Sequence, residues 1–485
     1  MTGIAAFWQN YIDGAFVDGG AGRIAVENPG TGEVLCEHAL ADAADVGRAV
    51  AAARTCVQSA VLVDMRPIDR GRLVQDMGRW LAARSEEIAH VLCLEQGKPL
   101  WEAKAEVAGA CRYFEYYGSQ ASTVEGRSIP LGKGYFDFTH LEPYGVSAQI
   151  IPWNFPLEVA ARSIAAGLAT GNACVVKTSE MTPCSSRYFA LAAEAVGLPG
   201  GALQVFTGLG AEAGAALAGH ADVNQIVFTG SVATGQAIAA AAARTVVPCV
   251  LELGGKSAAI VHSDADLASF ETDVRKGIYV NAGQICSALS RVVAHESVHD
   301  ELVDRISGLA KSLSVGPGIE RPEFGANMGP MISARQRDRA VAMVSRAEAD
   351  GARVITGGHK ANLPGFFLEP TVLADVTPEM TIAQEEVFGP VVSVLKFADE
   401  AEAIRIANGT AYGLVAGVFT RDLDRATRAA RGLRAGQIFV NEWFAGGVET
   451  PFGGYGKSGY GREKGREALM NYVQTKNVAI RLGSG

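Results

Sequence analysis

Five short apolar runs constrain this chain more than any other feature: residues 146–151, 173–176, 203–206, 225–228 and 248–251. Each gives way to a turn and then to apolar residues at helical spacing. Strands separated by helices cannot pair with their successors through tight hairpins. Repetition of the unit therefore builds a parallel, doubly wound sheet with helices on its faces. A second series of strand-like runs, at 291–294, 391–397, 414–419 and 437–440, alternates with helical patterns from Ser257 to about Phe452. The expected class is α/β with two doubly wound lobes. At 485 residues the chain exceeds what one core covers, so two large lobes, or three units, are expected.

Between about Asp42 and Ser119, residues such as Ile68, Leu73, Met77, Leu81 and Ile88 recur at helical spacing, with Pro67 and Gly97-Lys98-Pro99 as breaks. That pattern predicts three helices. Two segments fit neither lobe: residues 128–142, which alternate around Gly132-Lys133-Gly134, and the tail 472–482. Both are expected to be strands reaching outward to another subunit.

With 48% hydrophobic and 20% charged residues the chain has the composition of a globular enzyme. A net charge of −9 argues against a broad nucleic-acid footprint. The N-terminus lacks a basic region followed by a long apolar run, and no apolar stretch is long enough to span a bilayer. The eight cysteines are scattered, without Cys-x-x-Cys or His pairs at metal spacing. No metal site and a reducing, cytoplasmic setting are expected.

Cys286 lies in Val280-Asn281-Ala282-Gly283-Gln284-Ile285-Cys286-Ser287-Ala288. The turn-like, small-residue setting leaves room for a ligand, which makes this thiol a candidate nucleophile; the alternative is a packed core thiol. No Lys or His adjoins it, so thiolate stabilisation is expected from backbone N–H groups or a cofactor's charge. Glu252, in Leu251-Glu252-Leu253-Gly254-Gly255-Lys256, stands at the end of a parallel strand, where open α/β sheets place ligands; the alternative is a surface carboxylate. Asn154, in Pro152-Trp153-Asn154-Phe155-Pro156, is an amide donor on a backbone restricted by two prolines. A thiolate attacks a carbonyl carbon, an amide N–H holds the oxyanion, and a carboxylate activates water against the resulting thioester.

Dinucleotide-binding signals are mixed. Gly208-Leu209-Gly210-Ala211-Glu212-Ala213-Gly214 has one residue too many for the standard fingerprint. Phe228-Thr229-Gly230-Ser231 leads from strand into helix, where Ser231 as cap could receive a pyrophosphate oxygen, or could simply close a βα turn.

These segments, together with Val176-Lys177-Thr178-Ser179-Glu180, Glu385-Glu386-Val387-Phe388-Gly389-Pro390 and Pro451-Phe452-Gly453-Gly454, resemble in order and spacing the NAD(P)-dependent aldehyde dehydrogenase superfamily. The resemblance spans essentially the whole chain. It implies that Cys286 is the nucleophile, Glu252 the base for deacylation, and Asn154 with the Cys286 N–H the oxyanion hole. It further implies an adenosine-ribose site at Lys177 and Glu180, pyrophosphate contacts at Trp153 and Ser231, a nicotinamide-ribose site at Glu386 and Phe388, and cofactor-binding positions at Gly210 and Gly230. A carboxylate at Glu180 would repel a 2′-phosphate, so NAD is expected over NADP. The implied domains are a cofactor lobe (1–122 and 144–253), a catalytic lobe (254–453) and a β extension (123–143 and 454–485) that builds a homodimer or homotetramer.

For the substrate, an aldehyde, the candidates are Phe155, Arg162 and Phe452. Arg162 stands where succinate semialdehyde and lactaldehyde dehydrogenases are similar in having Arg, which implies an anionic or hydroxylated semialdehyde. The alternative is that Arg162 pairs with Glu158 four residues before it. Val280, and the loop Phe444-Ala445-Gly446-Gly447, depart from the succinate semialdehyde pattern. Trp443, Phe444 and Phe452 could equally favour an aromatic aldehyde, with core packing expected for at least one of them. Glu463 resembles a proton-relaying acid in relatives, but the Lys it works with is Ser163 here. A CoA-acylating relative and a catalytically silent structural member, such as a lens crystallin, are the rivals.

Overall fold

The computed structural model describes residues 4–319 and 327–483. The five early runs become parallel strands in the spatial order Cys249–Glu252, Gln225–Thr229, Val146–Ile150, Ala173–Thr178, Leu203–Thr207. The first strand in the chain lies centrally; the next two extend to one side and the last two to the other. Asn10–Ile12 adds antiparallel to Leu203–Thr207. Gly459–Tyr460, within the segment assigned above to the extension, instead pairs with Cys249–Glu252 at the opposite edge.

The second sheet runs Arg353–Thr356, Thr371–Ala374, Val391–Phe397, Arg291–His295, Ala258–Val261, Val415–Phe419, Gln437–Val440, with only the first of these antiparallel to its neighbour. Each sheet has its own hydrophobic core, and Phe155 packs against both. The two lobes are therefore separate folding cores that meet near the Pro152 to Pro156 segment. No helix among the described residues is long and apolar enough to cross a membrane.

The segment expected to hold three helices holds four long ones, Ala43–Gln58, Pro67–Ala82, Ser85–Gln96 and Leu100–Gln120, and the short Val61–Asp64. The break between the second and third long helices is only Ala83-Arg84, with no Gly or Pro to mark it. Ser128–Ile129, Tyr135–Pro143 and Val473–Arg481 form a three-stranded antiparallel sheet, in which Val473 pairs with Pro143 and Arg481 with Tyr135. Leu131, Tyr135, Phe136, Ile480 and Leu482 on and beside it are exposed.

Candidate active site

In a doubly wound sheet the loops diverge where the strand order reverses, leaving a crevice at the carboxyl ends. Here the reversal falls between Val146–Ile150 and Gln225–Thr229. The segments leaving these two strands carry Trp153 and Asn154, and Gly230 and Ser231. A cavity of about 530 Å³ opens at this place, and Cys286, Glu252 and Asn154 all line it.

The nucleophile loop is held under strain. Asn281, Ala282 and Gly283 adopt φ values of 51°, 51° and 71° in succession, a left-handed run that side-chain-bearing residues populate only when their surroundings dictate it. The Asn281 amide N–H donates to Glu102 at 2.7 Å, and its side-chain Oδ1 accepts from Gln96 Nε2 at 2.9 Å. Gln284 donates to Asn281 O at 2.9 Å and accepts from Ile332 N at 2.8 Å. A Cβ on Gly283 would stand 2.2 Å from Gly389 O, so the loop is pressed against the Glu385 to Pro390 motif.

Asn154 is buried and fixed at both ends. Its backbone carbonyl accepts from Lys98 Nζ at 3.0 Å and from Asn281 Nδ2 at 2.9 Å. One N–H of its carboxamide donates to Gln284 O at 2.9 Å. A carboxamide has two donors, so the second is free for an oxyanion. Lys98 is itself held in a fully buried ion pair with Glu106.

Glu252 ends its strand, is 2% exposed, and neither side-chain oxygen has a hydrogen-bond partner among the described residues. Burial pushes its carboxyl up to about 8, against the opposing pull of the Arg162 charge. Burial likewise pushes the Cys286 thiol up to about 12, and Arg162 is the strongest charge working to lower it. The sequence expectation looked for stabilisation only in the backbone or a cofactor. The fold adds a guanidinium.

That guanidinium is already committed. Arg162 forms an ion pair with Glu463 at 2.9 Å and donates to Thr229 Oγ1 at 3.1 Å, and its side chain is only 7% exposed. It does not pair with Glu158. Glu463 also accepts from Ser163 Oγ and from Tyr472 Oη, each at 3.4 Å. Arg162 thus supplies Glu463 with the cation that Ser163 cannot.

Gly254 and Gly255 make the close approach that joins the two lobes at this point. A Cβ on Gly255 would stand 2.6 Å from Cys286 O, and one on Gly254 would stand 2.1 Å from Glu386 Oε2. Gly255 N donates to Glu386 Oε1 at 3.1 Å. Phe388 meets Trp153 edge to face, ring centroids 5.4 Å apart. Trp153, Gly230, Ser231, Glu386 and Phe388 all line the cavity, as do Phe155, Arg162 and Phe452. Ser231 caps the helix Val232–Thr245, accepting from Thr234 N.

Lys177, Glu180 and Gly210 do not line this cavity. Lys177 is in register with Ile150 and Phe206 on the neighbouring strands, and its Nζ lies 3.5 Å from Glu180 Oε2. Gly210 opens a single π-helical turn and is exposed. Trp443 is core: 1% exposed, it donates from Nε1 to Ser287 O at 3.3 Å, bracing the residue after the nucleophile. Sequence reasoning missed Lys98, Asn281 and Gln284 as supports. Only Gly97-Lys98-Pro99 carried a signal, and it reads as a helix break.

The profile of the aldehyde dehydrogenase family matches residues 16–478. The chain belongs to the aldehyde dehydrogenase family. It is 40% identical over 475 residues to an aldehyde dehydrogenase of Aspergillus niger, covering 98% of this chain and 95% of that one. It is 38% identical over 476 residues to retinal dehydrogenase 2 of Homo sapiens, covering 97% and 91%. An aldehyde dehydrogenase from Bacillus cereus, solved as an NAD+ complex, matches with a TM-score of 0.96 at 37% identity, over 98% of this chain and 97% of that chain. The two-lobed α/β architecture is that of this family.

Proposed function

We propose that this aldehyde dehydrogenase oxidises its substrate to a carboxylic acid through a thioester on Cys286, with NAD as the electron acceptor. The observation that carries this reading is that a thiol, a buried carboxyl without a partner and a half-free carboxamide line one cavity. The Cys286 thiol gives its proton to solvent, and the thiolate forms a bond to the aldehyde carbon as the carbonyl π electrons move to oxygen. The free Asn154 N–H with the Cys286 backbone N–H holds the oxyanion. As the adduct collapses its carbonyl re-forms and the C–H bond breaks with its electron pair, leaving a thioester. Bound NAD supplies the hydride-accepting ring. Glu252 then takes a proton from water, the new oxygen attacks the thioester carbon, the C–S bond breaks, and the acid leaves.

The donor set fits NAD. The N-terminus of Val232–Thr245 at Ser231 suits a pyrophosphate, and Glu386, placed by the closeness of Gly254, offers a carboxylate to ribose hydroxyls. Glu180 offers another beside Lys177. Glu180→Ser should raise the NADP-to-NAD ratio of kcat/KM roughly tenfold, since it removes the charge opposed to a 2′-phosphate. An unchanged ratio would count against the assignment of Glu180. NADH formation across alkyl, aromatic, hydroxylated and anionic aldehydes, with and without CoA, tests the reading as a whole. Product acid without CoA supports it, and strict dependence on CoA replaces hydrolysis with acyl transfer.

An anionic or hydroxylated semialdehyde is the favoured substrate class, but not through Arg162, which Glu463 holds. We also propose a homodimer or homotetramer built on the outlying sheet, in a cytoplasmic setting that suits eight scattered thiols. Val473–Arg481 is the edge of that sheet and carries exposed Ile480, with Phe136 on the strand beside it. An edge strand with its outer backbone groups unpaired is a template for another chain. Phe136→Glu with Ile480→Glu is expected to shift the sedimenting species to the monomer; an unchanged mass would move the interface elsewhere.

A further inference from the structure

We infer that Lys464 is the specificity-determining residue of the aldehyde site, and that it selects aldehydes carrying a carboxylate at the end remote from the carbonyl. The inference rests on the aldehyde-oxidising reading above and names the substrate class for it.

Lys464 lines the same cavity as Cys286. It follows Glu463, which is tied to the site by Arg162, yet it makes no ion pair itself among the described residues. Its backbone is left-handed, with φ at 63°, a conformation that a lysine holds only when its neighbours enforce it. They do. The Glu463 N–H donates to Phe452 O at 2.7 Å, Phe452 N donates back to Glu463 O at 2.6 Å, and Gly465 N donates to Val448 O at 2.8 Å. The side chain therefore projects from a pinned turn, with its ammonium 5.5 Å from the centroid of the Phe452 ring.

The charges around it leave room for an anion. Of the acids lining the cavity, Glu252 is held largely protonated near neutral pH, and Glu386 bonds to Gly255 beside the cofactor residues. Glu158 is the one cavity-lining acid whose charge acts on Lys464, against the like charges of Arg162 and Arg112, and Lys464 and Arg112 have no ion pair among the described residues. Tyr113 also lines the cavity, and its fully buried hydroxyl lacks a hydrogen-bond partner among the described residues. A carboxylate in this cavity would accept from the ammonium, and the Tyr113 hydroxyl is an unspent donor lining the same cavity. Burial lowers the affinity of Lys464 for its proton, a cost that a bound carboxylate offsets.

The test is kcat/KM for succinate semialdehyde and for butyraldehyde, with NAD, in the wild type, Lys464→Met and Lys464→Arg. The wild type should prefer the anionic aldehyde. Lys464→Met should lower the anionic-to-neutral ratio by roughly 10- to 100-fold, chiefly through KM, the range of one charge-assisted hydrogen bond. Lys464→Arg should restore most of it. A wild type that prefers butyraldehyde, or a Lys464→Met variant that slows both substrates in the same proportion, overturns the inference while leaving aldehyde oxidation standing. Absence of NADH with either substrate and with the wider aldehyde panel sinks the underlying reading instead.

Discussion

Cys286→Ala is expected to reduce steady NADH formation by at least roughly 10⁴-fold, to the level of the uncatalysed background. The covalent route divides aldehyde oxidation into two accessible steps, and removing the nucleophile removes both. The oxyanion donor and the cofactor residues stay in place but have no adduct to act on. Unfolding is not the cause, because the side chain is only partly buried and faces the cavity; removing one sulfur there leaves the packed cores intact. Melting temperature should move by only about 1–2 °C, in line with a change outside the core. Retention of steady turnover by this variant would remove the covalent scheme.

Glu252→Gln should separate the two half-reactions. Hydride leaves before water attacks, so the variant should release a burst of NADH stoichiometric with active sites and then turn over roughly 10²- to 10⁴-fold more slowly, the usual reach of a general base. A linear time course with no burst would place Glu252 before the thioester. In the wild type the hydrolytic step needs the carboxylate, so its rate should rise through pH about 8, and the variant should lose this limb. Stability moves the other way. The folded carboxyl titrates at about 8 against an ordinary value of 4.5, so the native state holds the proton more tightly across that window. Stability contributed by this proton is present below the lower value and is lost as pH rises through the upper one. Glu252→Gln should therefore gain in melting temperature over the wild type between pH 5 and 9.

Cys286, Glu252 and Asn154 stand out as candidates because each lies within three residues of Gly or Pro, residues that announce turns, and because Glu252 and Asn154 follow or end short β-type runs. What escaped was long-range. The Arg162 partner lies 301 positions further on at Glu463, and helical spacing favoured Glu158 instead. Lys98 reaches Asn154 O from a helix start that sequence treats as a break. Ala258–Val261 and Thr371–Ala374, each only four residues, are absent from the strand pattern, although the first lies inside the second sheet between Arg291–His295 and Val415–Phe419. Gly459–Tyr460 is two residues long, and its pairing with Leu251 and Glu252 is set by the folded edge and not by its own pattern.

Tyr472 stands immediately before the strand Val473–Arg481, and its hydroxyl reaches Glu463, the acid that grips Arg162 beside the nucleophile. Two side-chain contacts thus lead from the residue before the outer strand to the guanidinium whose charge acts on the reacting sulfur. Under the oligomer proposed above, dilution, a competing peptide strand or a crosslink that disturbed the rim of the molecule is expected to retune thiol reactivity from a distance, without anything entering the pocket. Specific activity that tracks protein concentration would be the outward sign of this tether.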